Sequence, residues 1–300
     1  MPQMAPRPHL VGEHSVDPGE VPPNAEQDDL YVGGERSQEP NSNGTIVAKI
    51  GGSTLGEHDT TLKDIVELQK RGAQTVVVHG GGKVITEWMA RGGVRPKFVR
   101  GLRVTDPAVL EIVVAVLTGV VNKSLVSSIQ ALGGRAIGLS GVDGGMLKAR
   151  PGDPELGLVG GEVSADPDPI RAVLTGGFIP VIAPLASRYS QDDESGDSML
   201  NVNADTAAGE IAAALHAESL VFLTDVAGVL DSSRRLIPRL TERQARSLMS
   251  SDVVAGGMVP KLEACLTALK HVEYAQIVDG RKPRALLDSL SGESIGTRVG

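Results

Sequence analysis

A lysine near the end of an apolar run, shortly before paired glycines, is the first place in the sequence where chemistry could occur. Lys49 is the last but one residue of the short β-branched run at 45–50, and Gly51 and Gly52 follow Ile50. A strand, a glycine turn and a helix in this order are typical of phosphate binding, because glycine N–H groups can approach an anion closely. Lys49 adds a positive charge beside them. An ordinary glycine turn has the same appearance, so this segment alone leaves both interpretations open.

A second glycine-rich turn repeats the design after the next apolar run. The run at 75–78 is followed by His79, Gly80, Gly81, Gly82 and Lys83. In an open α/β sheet the carboxyl ends of parallel strands are where ligands bind, so the two turns could converge on one anionic group. The alternative is a pair of unrelated tight turns.

Neither turn carries a common nucleotide-binding fingerprint. Gly82 and Lys83 precede Val84 and lack a glycine five positions before Gly82, and no G-x-G-x-x-G is followed by a suitably placed acidic residue. A P-loop NTPase and a Rossmann dehydrogenase are therefore both disfavoured. His79 has no cysteine or second histidine near it in sequence, which favours a structural hydrogen-bonding role over that of a base or metal ligand.

Six motifs in order give the chain a resemblance to the amino-acid kinase family. They are AKIGGS at 48–53, VVHGGGK at 77–83, GLRVT at 101–105, NVNAD at 201–205, LTDVAGVL at 223–230 and GGMVPK at 256–261. The HGGG turn with NVNAD and GGM-x-x-K resembles the members that phosphorylate N-acetylglutamate, rather than aspartokinases or glutamate 5-kinases. The resemblance implies transfer of the ATP γ-phosphoryl group to the γ-carboxylate of N-acetyl-L-glutamate, giving N-acetyl-L-glutamyl 5-phosphate in arginine biosynthesis.

The resemblance also implies the catalytic residues. Lys49 and Lys261 would flank the phosphoryl group during transfer, and Asp205 would orient both lysines. Charge on the phosphoryl oxygens is what such residues stabilise. No residue is implied as a metal ligand, because Mg²⁺ would be carried by ATP. No general base is required either, since a carboxylate is already ionised at neutral pH.

Substrate and nucleotide contacts are implied in the same way. The expected substrate-binding residues are Gly80, Gly81, Arg103 and Asn201. The expected nucleotide-binding residues are Gly51, Gly52, Asp225, Val226, Ala227, Gly228, Val229, Leu230, Val253, Val254 and Ala255. For Arg103 the alternative is a surface arginine, and for Asn203 and Asp205 it is helix capping, which can coexist with a role in the site.

Two other functions remain open at this point. A related enzyme could act on another acidic amino acid, such as an aminoadipate derivative, and the pocket around Arg103 and the loop after Phe98 would distinguish the two. A non-catalytic sensor of amino acid or nucleotide is the second alternative. It would be expected to have lost Lys49, Asp205 or Lys261, and all three are present.

The elements that must position these residues alternate between strands and helices. Strands are predicted at 46–50, 75–78, 136–139, 178–183, 220–223 and 276–278, with a helix ending at Gly72 and another entered from NVNAD. This alternation predicts a three-layer α/β/α sandwich with a mainly parallel central sheet. The resemblance divides residues 45–300 into an N-lobe of about 45–215, with the acetylglutamate and phosphoryl site, and a C-lobe of about 216–300, with the ATP site.

One predicted helix is unusual because apolar residues surround it. Asp106 and Pro107 read as its N-cap and first residue, and it ends near Gly133. A helix that is apolar on more than one face is either central to its lobe or packed against a second copy of the chain.

Residues 1–44 differ from the rest in composition. They hold seven prolines and no lysine, and the segment is predicted to be disordered. Arginine-inhibited members of the family carry an N-terminal helix that links dimers into hexamers. This segment shows no helical period, and Arg298 follows the Gly296-Thr297 pair at the other end, so a homodimer is expected.

Composition excludes several functional classes. Aromatic residues make up 2% of the chain, and most of the net charge of -8 lies in residues 1–44, so neither stacking surfaces nor a basic field for nucleic acid is expected. Cys265 is the only cysteine, which fits a reducing cytoplasm. The charge-free apolar stretch at 112–122 is too short to cross a bilayer, so no membrane partner is expected.

Overall fold

The computed structural model describes residues 44–51, 60–189, 199–251, 253–254, 256–292 and 295–300. The predicted disordered segment 1–44 lies outside this range except for Gly44, so that prediction is untested. Gly52 and Ala255, both predicted nucleotide contacts, also lie outside the described residues.

Fourteen strands are present among the described residues. In chain order they are β1 (Thr45–Ile50), β2 (Gln74–His79), β3 (Phe98–Val99), β4 (Leu102–Arg103), β5 (Ala136–Ser140), β6 (Leu147–Pro151), β7 (Gly160–Ala165), β8 (Ile179–Ala183), β9 (Leu185–Arg188), β10 (Met199–Asn201), β11 (Ser219–Thr224), β12 (Arg239–Leu240), β13 (Tyr274–Asp279) and β14 (Thr297–Val299).

The α-helices of the same residues follow the expected alternation. They are α1 (Thr61–Lys70), α2 (Gly82–Arg91), α3 (Pro107–Val114), α4 (Asn122–Ala131), α5 (Asp168–Thr175), α6 (Ala204–Leu215), α7 (Glu242–Ser250), α8 (Met258–Ala268) and α9 (Ala285–Leu290).

The central sheet is mainly parallel, as predicted. Across the described part of the chain its order is β12-β14-β13-β11-β1-β2-β8-β5, and only the β13–β14 pair is antiparallel. Because β2, β1 and β11 are neighbours, the segments that follow them meet at one edge of the sheet. One sheet therefore runs through both predicted lobes, and their division at 215/216 stays a prediction.

Helices cover both faces of this sheet, which confirms the three-layer sandwich. Alternate residues of a strand point to opposite faces. Val47 packs into a core with α6 and α8, whereas Ile46 and Ala48 pack into a second core with α1, α4 and α9. Each fully buried side chain of this size stabilises the fold by about 1.5–3 kcal/mol relative to exposure.

A smaller sheet and a hairpin lie outside the predicted pattern. Strands β10, β9, β6 and β7 form the smaller sheet in that order, with antiparallel pairs at both ends and a parallel pair in the middle. Strands β3 and β4 form a two-stranded hairpin that ends in Arg103. Strands β3, β4, β9 and β10 are only two to four residues long, too short for a periodic pattern to reveal.

The long apolar helix begins and ends close to the predicted residues. Asp106 caps it, its side chain accepting a hydrogen bond from Val109 N at 2.8 Å, and it runs through a π-helical segment, Ala115–Val121, into α4. By length and composition Pro107–Ala131 could span a membrane. Here its inner face is packed, with Val113, Val116 and Ile129 fully buried, and buried helices of globular proteins pass the same test.

Candidate functional site

Three charged side chains from distant parts of the sequence meet in a buried cluster. Lys49 Nζ lies 2.7 Å from Asp205 Oδ1, and Lys261 Nζ lies 3.1 Å from Asp205 Oδ2. The side chains of Lys49, Lys261 and Asp205 are 9%, 14% and 7% exposed. We call this the charged cluster. One carboxylate thus holds two ammonium groups apart, and the cluster keeps a net positive charge.

The strand period places Lys49 in this cluster. Lys49 and Val47 share the β1 face that is covered by α6, because side chains alternate along a strand. Asp205 lies in the first turn of α6, where Asn203 caps the helix by accepting hydrogen bonds from Asp205 N and Thr206 N. The positive end of the helix dipole further favours a carboxylate at this position. Asn203 therefore caps the helix while Asp205 serves the cluster.

A close approach of two helices brings Lys261 to Asp205. Gly209 of α6 faces Ala264 of α8 so tightly that a Cβ on Gly209 would lie 2.8 Å from Ala264 O. Asp205 lies four residues before Gly209, and Lys261 lies three residues before Ala264, so both stand one helical turn from this contact. Because Gly209 has no side chain, the two helices can pack this closely, and Lys261 can reach Asp205.

The lysines hold Asp205 in its ionised form. Burial opposes ionisation, but the charges of Lys49 and Lys261 outweigh it and lower the pKa of the Asp205 carboxyl below its usual value. Lys261 Nζ also donates to Gly257 O at 3.2 Å. In a site shielded from water, such positioned charges act more strongly on a ligand anion than they would at the surface.

Gly51 and Gly80 lie at the ends of the neighbouring strands β1 and β2. Gly51 N donates to Leu223 O at 3.1 Å, and Gly80 N donates to Ile50 O at 3.0 Å. Both N–H groups are thus engaged in joining the strand ends to each other. The structure thus places Gly51 and Gly80 at adjacent strand ends, and a role for Gly51, Gly80 or Gly81 in holding a ligand stays a prediction.

A neutral histidine lies behind the second turn. His79 is buried, and burial, with a smaller contribution from the charge of Lys49, lowers its pKa to about 4. Its Nδ1 lies 2.9 Å from Gly80 O, and its Nε2 lies 3.2 Å from Asn122 Nδ2. Since the Nδ2 group of Asn122 can only donate, Nε2 accepts and Nδ1 carries the proton that is donated to Gly80 O. His79 thus makes structural hydrogen bonds, as its isolation in the sequence indicated.

Arg103 is buried among neutral partners. Its guanidinium donates to Gly82 O at 2.9 Å, to Thr86 Oγ1 at 2.8 Å and to Met89 Sδ at 3.0 Å, and it lies over the Phe98 ring at 4.8 Å. Burial lowers its pKa. Within the described ranges no carboxylate lies within ion-pair distance of Arg103. A buried guanidinium without a protein counter-ion is suited to an anionic ligand, and the surface-arginine alternative is ruled out by its burial.

Asn201 lies at the end of β10 and is joined to the same region by Thr105. Asn201 Nδ2 donates to Thr105 Oγ1 at 3.2 Å, and Thr105 Oγ1 donates to Arg103 O at 3.0 Å. The segment 156–159 runs between the two, with hydrogen bonds to the backbone of both Thr105 and Asn201. We call Arg103, Thr105, Asn201 and residues 156–159 the substrate frame.

The residues after β11 that are predicted to bind the nucleotide differ in solvent exposure. Asp225, Val226 and Ala227 are exposed, and so is Leu230. Val229 is fully buried in the core, and its N–H donates to Thr297 Oγ1 at 2.8 Å. Val253 is exposed, whereas Val254 is buried. Nucleotide binding by these residues stays a prediction.

Protein ligands for a metal ion are not gathered in the described residues. No group of three or more His, Cys, Asp or Glu side chains stands close enough to hold an ion there. Asp205 is already occupied by two lysines. The expectation that Mg²⁺ arrives on the nucleotide stays a prediction.

Comparison with known proteins identifies the family. The profile of the amino acid kinase family matches residues 44–279, which is more than half of the chain. The chain belongs to the amino acid kinase family. Among its relatives in this family, the acetylglutamate kinase of Synechococcus elongatus is 46% identical over 264 residues, covering 85% of this chain and 86% of the relative. The acetylglutamate kinase of Cereibacter sphaeroides is 43% identical over 259 residues, covering 85% and 87%.

Solved structures agree with this family assignment. The smu.665 protein of Streptococcus mutans matches with a TM-score of 0.72 and 29% identity, covering 85% of this chain and 98% of that one. An N-acetylglutamate synthase from Neisseria gonorrhoeae matches with a TM-score of 0.73 and 27% identity, covering 86% of this chain and 59% of that one. The carbamate kinase of Giardia lamblia shares the fold, with a TM-score of 0.60 at 16% identity.

Sequence reasoning did not single out two buried polar residues of this amino acid kinase site. Thr105 stands inside the GLRVT motif, where only Arg103 was selected. Asn122 interrupts an otherwise apolar helix, and a lone amide in such a helix was the available signal, because a buried amide needs hydrogen-bond partners.

Proposed function

We propose that this chain is an ATP-dependent kinase that phosphorylates the γ-carboxylate of N-acetyl-L-glutamate in arginine biosynthesis. The relatives named acetylglutamate kinase, at 43–46% identity over 85% of the chain, support this substrate. The charged cluster is the observation that carries the chemistry. Two lysines held by one buried carboxylate offer positive charge where phosphoryl oxygens become more negative during transfer.

In the proposed reaction a carboxylate oxygen of acetylglutamate attacks the γ-phosphorus of ATP. The bond between this phosphorus and the β–γ bridging oxygen breaks, ADP leaves, and N-acetyl-L-glutamyl 5-phosphate forms. No proton is removed from the nucleophile, because a carboxylate is ionised at neutral pH. Neutral, buried His79 is therefore not needed as a base. Mg²⁺ on the nucleotide would add positive charge at the phosphate oxygens.

Each lysine is proposed to contact the phosphoryl group from one side. Lys49 comes from β1 and Lys261 from α8, and Asp205 orients both ammonium groups. Arg103 is proposed to bind a substrate carboxylate and Asn201 a polar group of the same molecule, with Gly80 and Gly81 beside them. The nucleotide would lie against Gly51, Gly52 and the segments 225–230 and 253–255.

The two alternatives have less support. A non-catalytic sensor has no need of the charged cluster, yet Lys49, Asp205 and Lys261 are all present and in contact. A kinase of another acidic amino acid would share the cluster, but the relatives carry the acetylglutamate kinase name.

Hydroxylamine trapping tests the proposal. Purified protein is incubated with MgATP and hydroxylamine, which converts an acyl phosphate into a hydroxamate that is measured as its coloured ferric complex. Product is expected with N-acetylglutamate and little with free glutamate or N-acetylaminoadipate at equal concentration. Product with one of the other acids, and none with N-acetylglutamate, would overturn the substrate assignment. An Asp205→Asn variant serves as the control for phosphoryl transfer.

A homodimer in the cytoplasm is proposed as the working form. The outer side of the helix Pro107–Ala131 supports it, since Ala115, Gly119 and Val120 are exposed there while the inner side is packed. Light scattering on the purified chain measures the mass directly, and a monomer at micromolar concentration would contradict the dimer.

A further inference from the structure

Thr105 is a fully buried polar residue whose hydroxyl contacts Arg103 and Asn201, two residues that are predicted to bind the substrate. Its side chain is 0% exposed. Its hydroxyl donates to the backbone oxygen of Arg103 at 3.0 Å and accepts from the side-chain amide of Asn201 at 3.2 Å. Arg103 and Asn201 are far apart in sequence, so this one hydroxyl joins two separate segments.

The backbone around Thr105 is held on both sides as well. Thr105 N donates to Leu156 O at 2.8 Å, and Leu158 N donates to Thr105 O at 2.7 Å. Asn201 N in turn donates to Leu158 O at 3.0 Å. Gly157 has a φ of +70°, and a Cβ there would lie 2.5 Å from Thr105 O. The hydroxyl is therefore held at a fixed place relative to β10.

The Thr105 hydroxyl can form its hydrogen bonds to Arg103 and Asn201 in only one arrangement. A threonine hydroxyl has a single proton, and a backbone carbonyl can only accept. The proton must go to Arg103 O, so toward Asn201 the hydroxyl oxygen can only accept. Asn201 must then turn its NH₂ group toward Thr105, which leaves its Oδ1 and its second N–H for another partner.

We propose that Thr105 is a positioning residue that fixes the amide orientation of Asn201, so that Asn201 presents a defined acceptor and a defined donor to acetylglutamate. This inference rests on the proposed function and on the predicted role of Asn201. Without the hydroxyl, the amide could turn over, and it would offer the correct arrangement only part of the time. The expected consequence is weaker binding of acetylglutamate with unchanged binding of ATP.

Thr105→Val and Thr105→Ser test the proposal. Valine keeps the branched shape without a hydroxyl, and serine keeps the hydroxyl. We expect Thr105→Val to raise KM for N-acetylglutamate about tenfold, as for loss of one ordered hydrogen bond, with KM for ATP within about twofold of wild type. Thr105→Ser is expected to stay near wild type. Thr105→Ala carries the same expectation and replaces the valine variant if that variant does not fold.

A double-mutant cycle with Asn201→Ala separates positioning from simple loss of packing. If Thr105 acts through Asn201, adding Thr105→Val to Asn201→Ala changes KM for N-acetylglutamate by less than about twofold. Thr118→Val is the matched control, because Thr118 Oγ1 donates to Val114 O at 2.8 Å within the long helix. This control is expected to leave both KM values unchanged.

Three results would overturn the inference. They are an unchanged KM in Thr105→Val, an equal rise in both KM values, and a full effect of Thr105→Val in the Asn201→Ala background. Wild-type protein that forms no hydroxamate with N-acetylglutamate would instead overturn the proposed function itself, and this inference with it. The three results that would overturn the inference can be obtained only with an active wild type. Failure of the inference is therefore distinguishable from failure of the proposed function.

Discussion

The charged cluster and the substrate frame are two polar regions of one molecule built on different principles. The cluster uses three full charges, Lys49, Asp205 and Lys261, that stand 2.7 and 3.1 Å apart. The frame uses one charge, Arg103, surrounded by neutral carbonyl, hydroxyl and sulfur groups. In the cluster the protein supplies its own counter-ion, whereas in the frame Arg103 has no carboxylate within ion-pair distance among the described residues.

This difference predicts where each region acts in catalysis. Interactions that strengthen as charge develops in the transition state increase kcat, and interactions made equally in the ground state change KM. Changes in the charged cluster should therefore lower kcat, and changes in the substrate frame should raise KM for acetylglutamate. Three predictions test this division, and a fourth concerns the stability of the region next to the charged cluster.

Lys261→Met should have the largest effect. Methionine keeps most of the side-chain length but removes the charge, so kcat is expected to fall about 10²- to 10³-fold, with a smaller change in KM for N-acetylglutamate. Steady-state hydroxamate assays measure both constants. Lys270→Met, at an exposed lysine just after α8, is the matched control. Equal losses in both variants would contradict a special role for Lys261.

The lowered pKa of His79, which lies next to the charged cluster, predicts that the stability of the fold depends on pH. Its folded pKa of about 4 lies below its ordinary value of 6.5, so between these values the unfolded chain binds a proton that the folded chain does not. Stability should therefore fall as pH drops from about 6.5 to 4, by up to about 3 kcal/mol. Urea unfolding at a series of pH values measures this.

The contribution of His79 is isolated by comparison with a variant. His79→Asn keeps one donor and one acceptor but does not titrate, so its stability should lack this decrease. His271→Asn, at an exposed histidine, should keep it. A wild-type curve that runs parallel to that of His79→Asn over this range would show that His79 is not held neutral by burial.

Arg103→Lys tests the substrate frame. A lysine cannot reach Gly82 O, Thr86 Oγ1 and a ligand carboxylate with the planar fork of arginine. KM for N-acetylglutamate is expected to rise about 10- to 100-fold, or about 1.4–2.8 kcal/mol, with KM for ATP nearly unchanged. Arg91→Lys, at the exposed end of α2, is the control. A loss confined to kcat would place Arg103 with the charged cluster instead.

Gly209→Ala should give the smallest effect of the four. The added Cβ would meet Ala264 O at 2.8 Å, so α6 and α8 must move apart and Asp205 must move relative to Lys261. We expect kcat to fall about tenfold, or about 1.4 kcal/mol, with KM for N-acetylglutamate unchanged. Thermal unfolding measured alongside shows how much stability is lost. A stability loss without a kcat change would show that the cluster tolerates this helix displacement.

The fold could be predicted largely from periodicity, and the site only where motifs carried it. Strands such as β1 and β11 are buried on both faces, so they read as continuous apolar runs. The smaller sheet could not be predicted, because β9 and β10 are only four and three residues long and β9 also pairs with β6, a strand distant in sequence.

Among the site residues, the charged ones could be identified from the sequence more readily than the residues that orient them. Lys49, Asp205 and Lys261 each stand in a recognisable motif. Thr105 and Asn122 act through contacts with residues 96 and 43 positions away, and a contact of this kind leaves no local pattern. The close approach at Gly209 was hidden for the same reason, since an interior helix glycine has no distinctive period.

The order of strands in the central sheet has a consequence for synthesis of the chain. β1 lies between β2, which follows it closely, and β11, which is made much later. A nascent chain that ends before β11 therefore has an apolar strand with an open edge, and such edges promote aggregation. Chaperone dependence during translation is expected to end only once β11 has left the ribosome and closed this edge.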